Sequence, residues 1–544
     1  MTGFVSGEGR PWLAHYPEGV PASIEPRDVP LYQLVADVAE QLPDLPAVRF
    51  YGLRLSYGAL WAQVLHCATA LARLGVAKGE RVAVMLPNCP QYVVAFHGIL
   101  RAGATVTQVN PLYTPRELAQ LLADAGAEVI IVADALYPVV QAALPRLPRV
   151  RHVLVARLKG DVALAPPAAS FEAALADAAE APPAVSIDPG DVAALQYTGG
   201  TTGVPKGAML THRNLVANVQ QVQAWHPDRG RPGEERVLTV LPLFHSYGMT
   251  VGMNFPLACG FEVILLPRFE LREVLETIKA TRPTYLPGVP TMYVALNAAP
   301  DAAEYGLESL RYCNSGAAPM PAEVLRAFEE RFGVAILEGY GLSECSPVSH
   351  SNPSHGLRKT GSVGPPIPST ECHIVDVETG THVLPAGEVG EIRIRGPQVM
   401  AGYWNMPDET AGALRDGWLY TGDLGTMDED GYFAIVDRKK DMIIAGGFNV
   451  YPRDVEEVLY EHPAIGECCV AGVPDPYRGE TVKAYLVLRP GASVTETELE
   501  RFCRERLAPF KIPTRWEFRP SLPKTAVGKL LRRQLAAAEA GDPG

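Results

Sequence analysis

Apolar and polar positions alternate in short blocks through the first 190 residues. Residues 81–86 (Arg-Val-Ala-Val-Met-Leu) and 128–133 (Glu-Val-Ile-Ile-Val-Ala) are apolar runs of strand length, and 92–100 carry apolar residues at helical spacing. Strand-length runs separated by helical segments predict parallel α/β layers. The theme returns with strands expected near 237–241 and 334–337. At 391–395 the pattern becomes strict alternation, Glu-Ile-Arg-Ile-Arg, which suits a half-solvated strand in an antiparallel unit. The alanine- and proline-rich stretch 160–190 is expected to form a surface excursion or loose linker.

Beyond about residue 440 the pattern changes again. Val455, Val458 and Leu459 share one helical face, and Val482, Ala484, Leu486 and Leu488 share one strand face. Thr495 and Glu498 have the spacing of a capping box, ahead of a helix carrying Leu499, Phe502, Cys503 and Leu507. The predicted class is α/β. A large N-terminal domain, 1–439, has layered α/β sheets plus a β-rich subdomain, and a small α+β C-terminal domain follows at 440–544. No internal repeat is visible, and the last ten residues, small and polar, are expected to fray.

Length and composition narrow the classes. A chain of 544 residues suggests roughly three or four packing units. With 47% hydrophobic and 20% charged residues it reads as a soluble globular protein. A net charge of −13 argues against nucleic acid as a main partner but allows an anionic nucleotide in a locally basic pocket. The nine cysteines lack zinc-type spacing, and the neighbours Cys468 and Cys469 are unsuited to a structural disulfide, so reduced cytoplasmic thiols are expected. Residues 1–20 carry Glu8, Arg10 and Glu18 with no apolar core, unlike a signal peptide. No uncharged apolar run reaches about 18 residues, and the most apolar stretch, 255–267, is interrupted by Glu262. Peripheral membrane contact is left open.

The chemistry concentrates first in Tyr197-Thr-Gly-Gly-Thr-Thr-Gly-Val-Pro-Lys-Gly207. An apolar run (Val192, Ala193, Ala194, Leu195) precedes it. A helical pattern (Leu215, Val216, Val219, Val222) follows, with Thr211 a candidate N-cap. A strand, a glycine-rich loop and a helix start can hold a phosphate: glycines let backbone N–H groups close on the anion, while hydroxyls and a lysine add donors and charge. Glycine at this density is costly for a plain turn. The segment contains neither G-x-x-x-x-G-K-[ST] nor G-x-G-x-x-G.

Four further segments follow: Glu338-Gly-Tyr-Gly-Leu-Ser-Glu344, Tyr420-Thr-Gly-Asp423 with Asp437-Arg-Lys-Lys-Asp-Met-Ile-Ile-Ala-Gly-Gly-Phe-Asn-Val-Tyr-Pro452, Pro523-Lys-Thr-Ala-Val-Gly-Lys529, and Pro242-Leu-Phe-His-Ser-Tyr-Gly248. Glycines beside Tyr340 would let its ring lie against a planar base, Glu344 is a hard oxygen ligand suited to magnesium, and Asp423 follows a glycine turn able to present its carboxylate to ribose hydroxyls. Taken singly these are weak. A bare charge run is usually a solvated face, and a lone His245 is more often a core residue.

Together and in this order they resemble the adenylate-forming superfamily of acyl-CoA synthetases, peptide-synthetase adenylation domains and luciferases, with fatty-acyl-CoA ligases the nearest branch. The resemblance implies a mobile C-terminal domain and a two-step reaction, in which a carboxylate and ATP give acyl-AMP and pyrophosphate before a thiol takes the acyl group. It implies ATP contacts at Thr198, Gly199, Gly200, Thr201, Thr202 and Lys206, and adenine contacts at Gly316, Ala317 and Ala318 and through Glu338, Gly339, Tyr340, Gly341 and Ser343. Many relatives have threonine where Ser343 stands, and the hydroxyl is kept. Asp423 and Arg438 would hold the ribose, Lys440 would be the hinge, and Gly446, Gly447 and Phe448 follow it. Magnesium falls to Glu344 and Thr198, catalysis to Lys529 with Thr198, Glu344 and His245, and His245 also lines the acyl pocket. The implied substrates are ATP, CoA and a fatty acid of medium to long chain, in a cytoplasmic enzyme, with homodimers common in the family. The rival readings are an aryl or short-chain acid ligase, an adenylation enzyme loading a carrier protein, and a non-enzymatic nucleotide binder.

Overall fold

The computed structural model describes residues 9–160, 162–178, 181–198, 205–445, 448–475, 479–525 and 530–537. The apolar runs of the first half become strands of two mostly parallel sheets. The seven-stranded sheet has the order Ala168–Ser170, His152–Ala156, Val129–Ala133, Arg81–Met85, Thr105–Gln108, Val192–Thr198, Lys206–Thr211, and only its last pair is antiparallel. The eight-stranded sheet runs Val348–Ser351, Ile336–Gly341, Tyr312–Ser315, Tyr285–Gly288, Arg236–Thr239, Glu262–Leu265, Pro46–Phe50, Leu53–Ser56, antiparallel only at its two edges.

Successive residues of one strand enter different cores, which explains runs without alternation. Val82 and Val84 join the cluster that holds helices Tyr57–Arg73 and Pro90–Arg101, whereas Ala83 and Met85 pack with helices Pro115–Ala125 and Tyr137–Ala143. In the second sheet Val263 and Leu265 share that first cluster. Ile264 and Leu238 instead meet helices Leu271–Thr281, Pro290–Ala298 and Ala322–Phe332. Two sheets thus sandwich a helical layer and carry helices on their outer faces. No described helix is long and apolar enough to cross a membrane.

The expected excursion at 160–190 is partly ordered into the fold. Ala168–Ser170 adds an edge strand, and helix Phe171–Ala176 follows, its first turn capped by the Ser170 hydroxyl on the Ala173 N–H at 3.2 Å. Phe171 and Ala178 are buried. A few apolar side chains in an alanine–proline background suffice to pin the segment down.

The third sheet is antiparallel throughout, as its alternation suggested: Glu371–Val375, Gly390–Arg395, Trp418–Met427 and Leu414–Arg415, with Phe433–Arg438 also on Trp418–Met427. Ile392 and Ile394 are buried and Arg395 is exposed. Glu391 is also buried, because its carboxylate accepts from the Gly422 N–H at 3.1 Å and pairs with Lys439 at 3.1 Å.

The C-terminal sheet orders Phe448–Val450, Ile443–Ala445, Gly479–Leu488 and Ile465–Asp475, with Arg515–Phe518 parallel to Gly479–Leu488. Val482, Ala484 and Leu486 pack with helices Pro452–Tyr460 and Glu496–Arg504, and the Thr495–Glu498 capping box is formed. Tyr485 faces a second cluster with Leu535 of helix Arg532–Ala537, so the central strand is covered on both sides. All nine cysteines are free and buried.

Candidate active site

The glycine-rich segment closes a hairpin. Val192–Thr198 and Lys206–Thr211 pair antiparallel with Thr198 opposite Lys206. Helix His212–Trp225 begins only after this second strand, so its N-terminus does not follow the loop, contrary to the strand–loop–helix expectation. The extra strand needs tertiary partners: Ala208 and Leu210 are buried, the Met209 N–H bonds the Gly402 carbonyl at 2.8 Å, and Ala208 bridges Tyr403. Thr211 does cap the helix, accepting from the Asn214 N–H at 3.1 Å. Gly199, Gly200, Thr201 and Thr202 lie outside the described residues. At the loop's flanks the Thr198 hydroxyl donates to the Lys206 carbonyl at 3.4 Å. The Lys206 ammonium pairs with Glu409 and stands 5.4 Å from the Tyr403 ring centre, and the Tyr403 hydroxyl donates to Glu344 at 2.8 Å.

The segment Glu338–Gly341 is part of the strand Ile336–Gly341 rather than a turn after it. The neighbouring chain approaches so closely that a Cβ on Gly341 would sit 2.1 Å from the Pro347 carbonyl oxygen, which only glycine tolerates. This pairing presents Tyr340, whose hydroxyl donates to Asp423 at 2.6 Å. Arg438 stands across the strand pair from Asp423, 3.4 Å from its other oxygen. Burial pushes the Glu338 carboxyl up to about 7, opposed by the Gly361 N–H at 3.1 Å and by Arg453 nearby. After strand Tyr312–Ser315, Gly316 approaches the Tyr247 ring and Ala317 adopts φ +65, a conformation rare for a residue with a Cβ. Ser343 is buried with its hydroxyl 3.1 Å from that of Ser246. His245 caps Ser246–Met249, its Nδ1 accepting from the Tyr247 N–H at 3.3 Å.

These side chains surround one cavity of about 1520 Å³ at the junction of the domains. Thr198, Lys206, Gly316–Ala318, Glu338–Glu344, Asp423 and Arg438–Lys440 line its polar part, while Val222, Val237, Val251 and Phe255 line an apolar part. Val251 lies in the π-helical turn Thr250–Asn254 and Phe255 just beyond it, a widened turn of the kind found at functional sites. The C-terminal domain supplies Arg453, Glu457, Lys524, Thr525 and Leu530 to the same wall. Lys529, Gly446 and Gly447 lie outside the described residues, and Phe448 opens the strand Phe448–Val450.

Sequence reasoning missed Tyr403, Glu409 and an ionic cluster between the domains. A glycine followed by two aromatics (Gly402, Tyr403, Trp404) was the only local signal for the first. In the cluster Arg532 reaches Glu456 at 2.8 Å, Asp437 at 3.3 Å and Asp441 at 3.4 Å, while Asp437 also accepts the N–H groups of Arg438 (2.7 Å) and Arg453 (3.2 Å). Burial pushes Asp437 up to about 6, against the pull of Arg532.

The profile of the AMP-binding enzyme family matches residues 35–404, and that of the AMP-binding enzyme C-terminal domain matches 454–529. A long-chain-fatty-acid–CoA ligase of Bacillus subtilis (strain 168) is 48% identical over 551 residues, covering 97% of this chain and 98% of the relative. A feruloyl-CoA synthase of Amycolatopsis is 39% identical over 499 residues, covering 91% and 96%. Among solved structures, ATP-bound MatB from Rhodopseudomonas palustris superposes with a TM-score of 0.86 at 32% identity, covering 94% of this chain and 99% of that one. The anthranilate CoA ligase AuaEII with anthranoyl-AMP gives 0.87 at 29%, covering 95% and 98%.

Proposed function

The chain belongs to the AMP-binding enzyme family, and on that premise we propose an ATP-dependent fatty-acid–CoA ligase that forms AMP. The observation that carries this reading is a single cavity whose polar and apolar parts are continuous, so that a nucleotide and an alkyl carboxylate can meet inside it. In the first half-reaction a carboxylate oxygen bonds the α-phosphorus of ATP and the bond to the β-phosphate bridge oxygen breaks, releasing pyrophosphate. In the second, the CoA sulfur bonds the acyl carbon, AMP leaves with the electron pair and the thiol proton is lost.

The chain's contribution is placement and charge. Asp423, fixed by Tyr340 and Arg438, is set to accept the two ribose hydroxyls. Lys206 and the hydroxyl-bearing loop hold the leaving phosphates. Lys529, on the segment whose flanks Thr525 and Leu530 line the cavity, is assigned to the α-phosphate and the carboxylate, where one cation offsets the repulsion of two anions. His245 lines the acyl side. Among the described residues no cluster of three or more His, Cys, Asp or Glu side chains could cage a metal. The half-buried Glu344, with Tyr403 on one oxygen, and Thr198 fit a magnesium ion ligated largely by phosphates. Magnesium, when bound, would neutralise phosphate charge. The hinge is assigned to Lys440, dividing the chain at 439/440.

The test is CoA-thioester formation across acids from acetate to oleate, with benzoate and coumarate, following AMP and pyrophosphate with and without CoA. CoA-dependent AMP release peaking at medium or long alkyl acids is expected. Pyrophosphate exchange without any CoA thioester would transfer the assignment to a carrier-protein acceptor.

A further inference from the structure

Lys206 shares its charge with a carboxylate. It opens the strand Lys206–Thr211, and its ammonium pairs with Glu409, the third residue of the short helix Pro407–Ala413. Both side chains line the polar part of the cavity with Thr198 and Glu344. The lysine side chain is 18% exposed and the glutamate 48%, so the ammonium is held in the wall while the carboxylate has solvent beside it.

The meeting is built into the backbone. The Tyr403 N–H donates to the Thr410 hydroxyl at 2.8 Å, which ties the helix to the segment before it. That segment in turn joins the lysine's strand: Ala208 bridges Tyr403, and the Trp404 N–H donates to the Gly207 carbonyl at 2.8 Å. Glu409, next to Thr410, is thus presented to Lys206 from a fixed support. An ammonium has three N–H donors but a single charge. A phosphate that meets Lys206 with Glu409 attached finds that charge partly neutralised and a second anion close by. A carboxylate–ammonium pair this open to water is weak, whereas ammonium–phosphate contacts are charge-assisted, so the phosphate prevails but with reduced affinity.

We propose that Glu409 is a competing anion for Lys206, which weakens the hold on the leaving phosphates so that pyrophosphate departs after adenylation. When phosphate oxygens take the ammonium, the carboxylate turns to water; when pyrophosphate goes, it takes the ammonium back. Departure matters because the first half-reaction reverses: an oxygen of retained pyrophosphate bonds the α-phosphorus of acyl-AMP, the carboxylate leaves and ATP re-forms. Glu409 touches no reacting atom and acts through Lys206. This rests on the acid–thiol ligase reading, in which Lys206 meets the phosphates.

The experiment measures binding of magnesium pyrophosphate, and separately of AMP, by titration calorimetry on the full-length enzyme, with melting curves. The variants are Glu409→Gln, Asp408→Asn, Lys206→Met and the double variant Lys206→Met with Glu409→Gln. Glu409→Gln should bind pyrophosphate about fivefold more tightly, a direction that structural damage does not produce, and pyrophosphate should inhibit thioester formation at a correspondingly lower concentration. AMP, which lacks the leaving phosphates, should bind within about twofold of wild type. Asp408→Asn removes the neighbouring charge on the same helix and cavity wall and should change pyrophosphate binding less than about twofold. In the Lys206→Met background the gain from Glu409→Gln should vanish. Unchanged or weaker pyrophosphate binding in a normally melting Glu409→Gln would overturn the inference alone. So would an equal gain in Asp408→Asn or for AMP, or a gain that survives Lys206→Met. Absence of CoA thioester from every acid in the wild type would overturn the ligase reading and this inference with it.

Discussion

Replacing Arg532 and replacing Asp437 should have opposite effects, although the two residues are ion-pair partners. Arg532 hydrogen-bonds Glu456 at 2.8 Å and also reaches Asp437 and Asp441. Arg532→Met would leave these carboxylates crowded in a poorly solvated place, and breaking a buried pair this way costs about 3–5 kcal/mol. Asp437→Asn keeps the acceptor for the Arg438 and Arg453 N–H groups and removes a charge that burial already disfavours. The folded pKa of about 6 lies above the ordinary aspartate value of 3.8. Between those values the folded state binds more protons than the unfolded, so stability is lost as pH rises through the window. Two units correspond to roughly 3 kcal/mol. Urea unfolding should therefore find Asp437→Asn as stable as the wild type near pH 4 and more stable by up to about 3 kcal/mol at pH 7. Arg532→Met should fall by about 3–5 kcal/mol at pH 7. Equal destabilisation by both substitutions at pH 7 would refute the reasoning and make Asp437 a net stabilising partner.

Four further outcomes are expected. Lys529→Ala should slow adenylation about a hundredfold or more, while thioester formation from supplied acyl-AMP is much less affected; equal loss in both would remove Lys529 from the first step. Lys440→Pro, which fixes φ at the assigned hinge, should impair the second half-reaction more than the first, and unchanged kinetics in both would discard the hinge. Tyr340→Phe deletes the hydroxyl bound to Asp423 at 2.6 Å and should raise the KM for ATP about tenfold with melting little changed; an unaltered KM would show that Asp423 needs no such support. Along an alkyl series, each methylene entering the apolar chamber should contribute about 0.8 kcal/mol, near fourfold in kcat/KM, until the chamber is full. A flat series would mean that the chain stays in water.

Much of the architecture can be read directly from the chain because burial on both faces writes itself as unbroken apolar runs, as at 81–86 and 128–133. The capping box at Thr495 is equally local. Lys206–Thr211 was hidden because a six-residue strand, held between Val192–Thr198 and the distant residues 401–404, has no pattern of its own to separate it from the helix behind it. The cavity wall was legible at Tyr340, Asp423 and Arg438, where glycine turns and charges cluster in sequence. The link from Asp437 to Arg532 was not, since it joins residues far apart in the chain, and a basic tail reads as solvated until folding buries one of its arginines.

The nine buried cysteines bear on a different matter, the compatibility of the protein with its own co-substrate. Burial raises every one of their thiols above the ordinary range. The thiolate is the species that exchanges with disulfides and attacks acyl carbons. An enzyme that makes an activated acyl group beside the free thiol of CoA thus offers no rival nucleophile of the same kind. Oxidised coenzyme finds nothing to cap, and an escaping acyl-adenylate finds no cysteine to acylate.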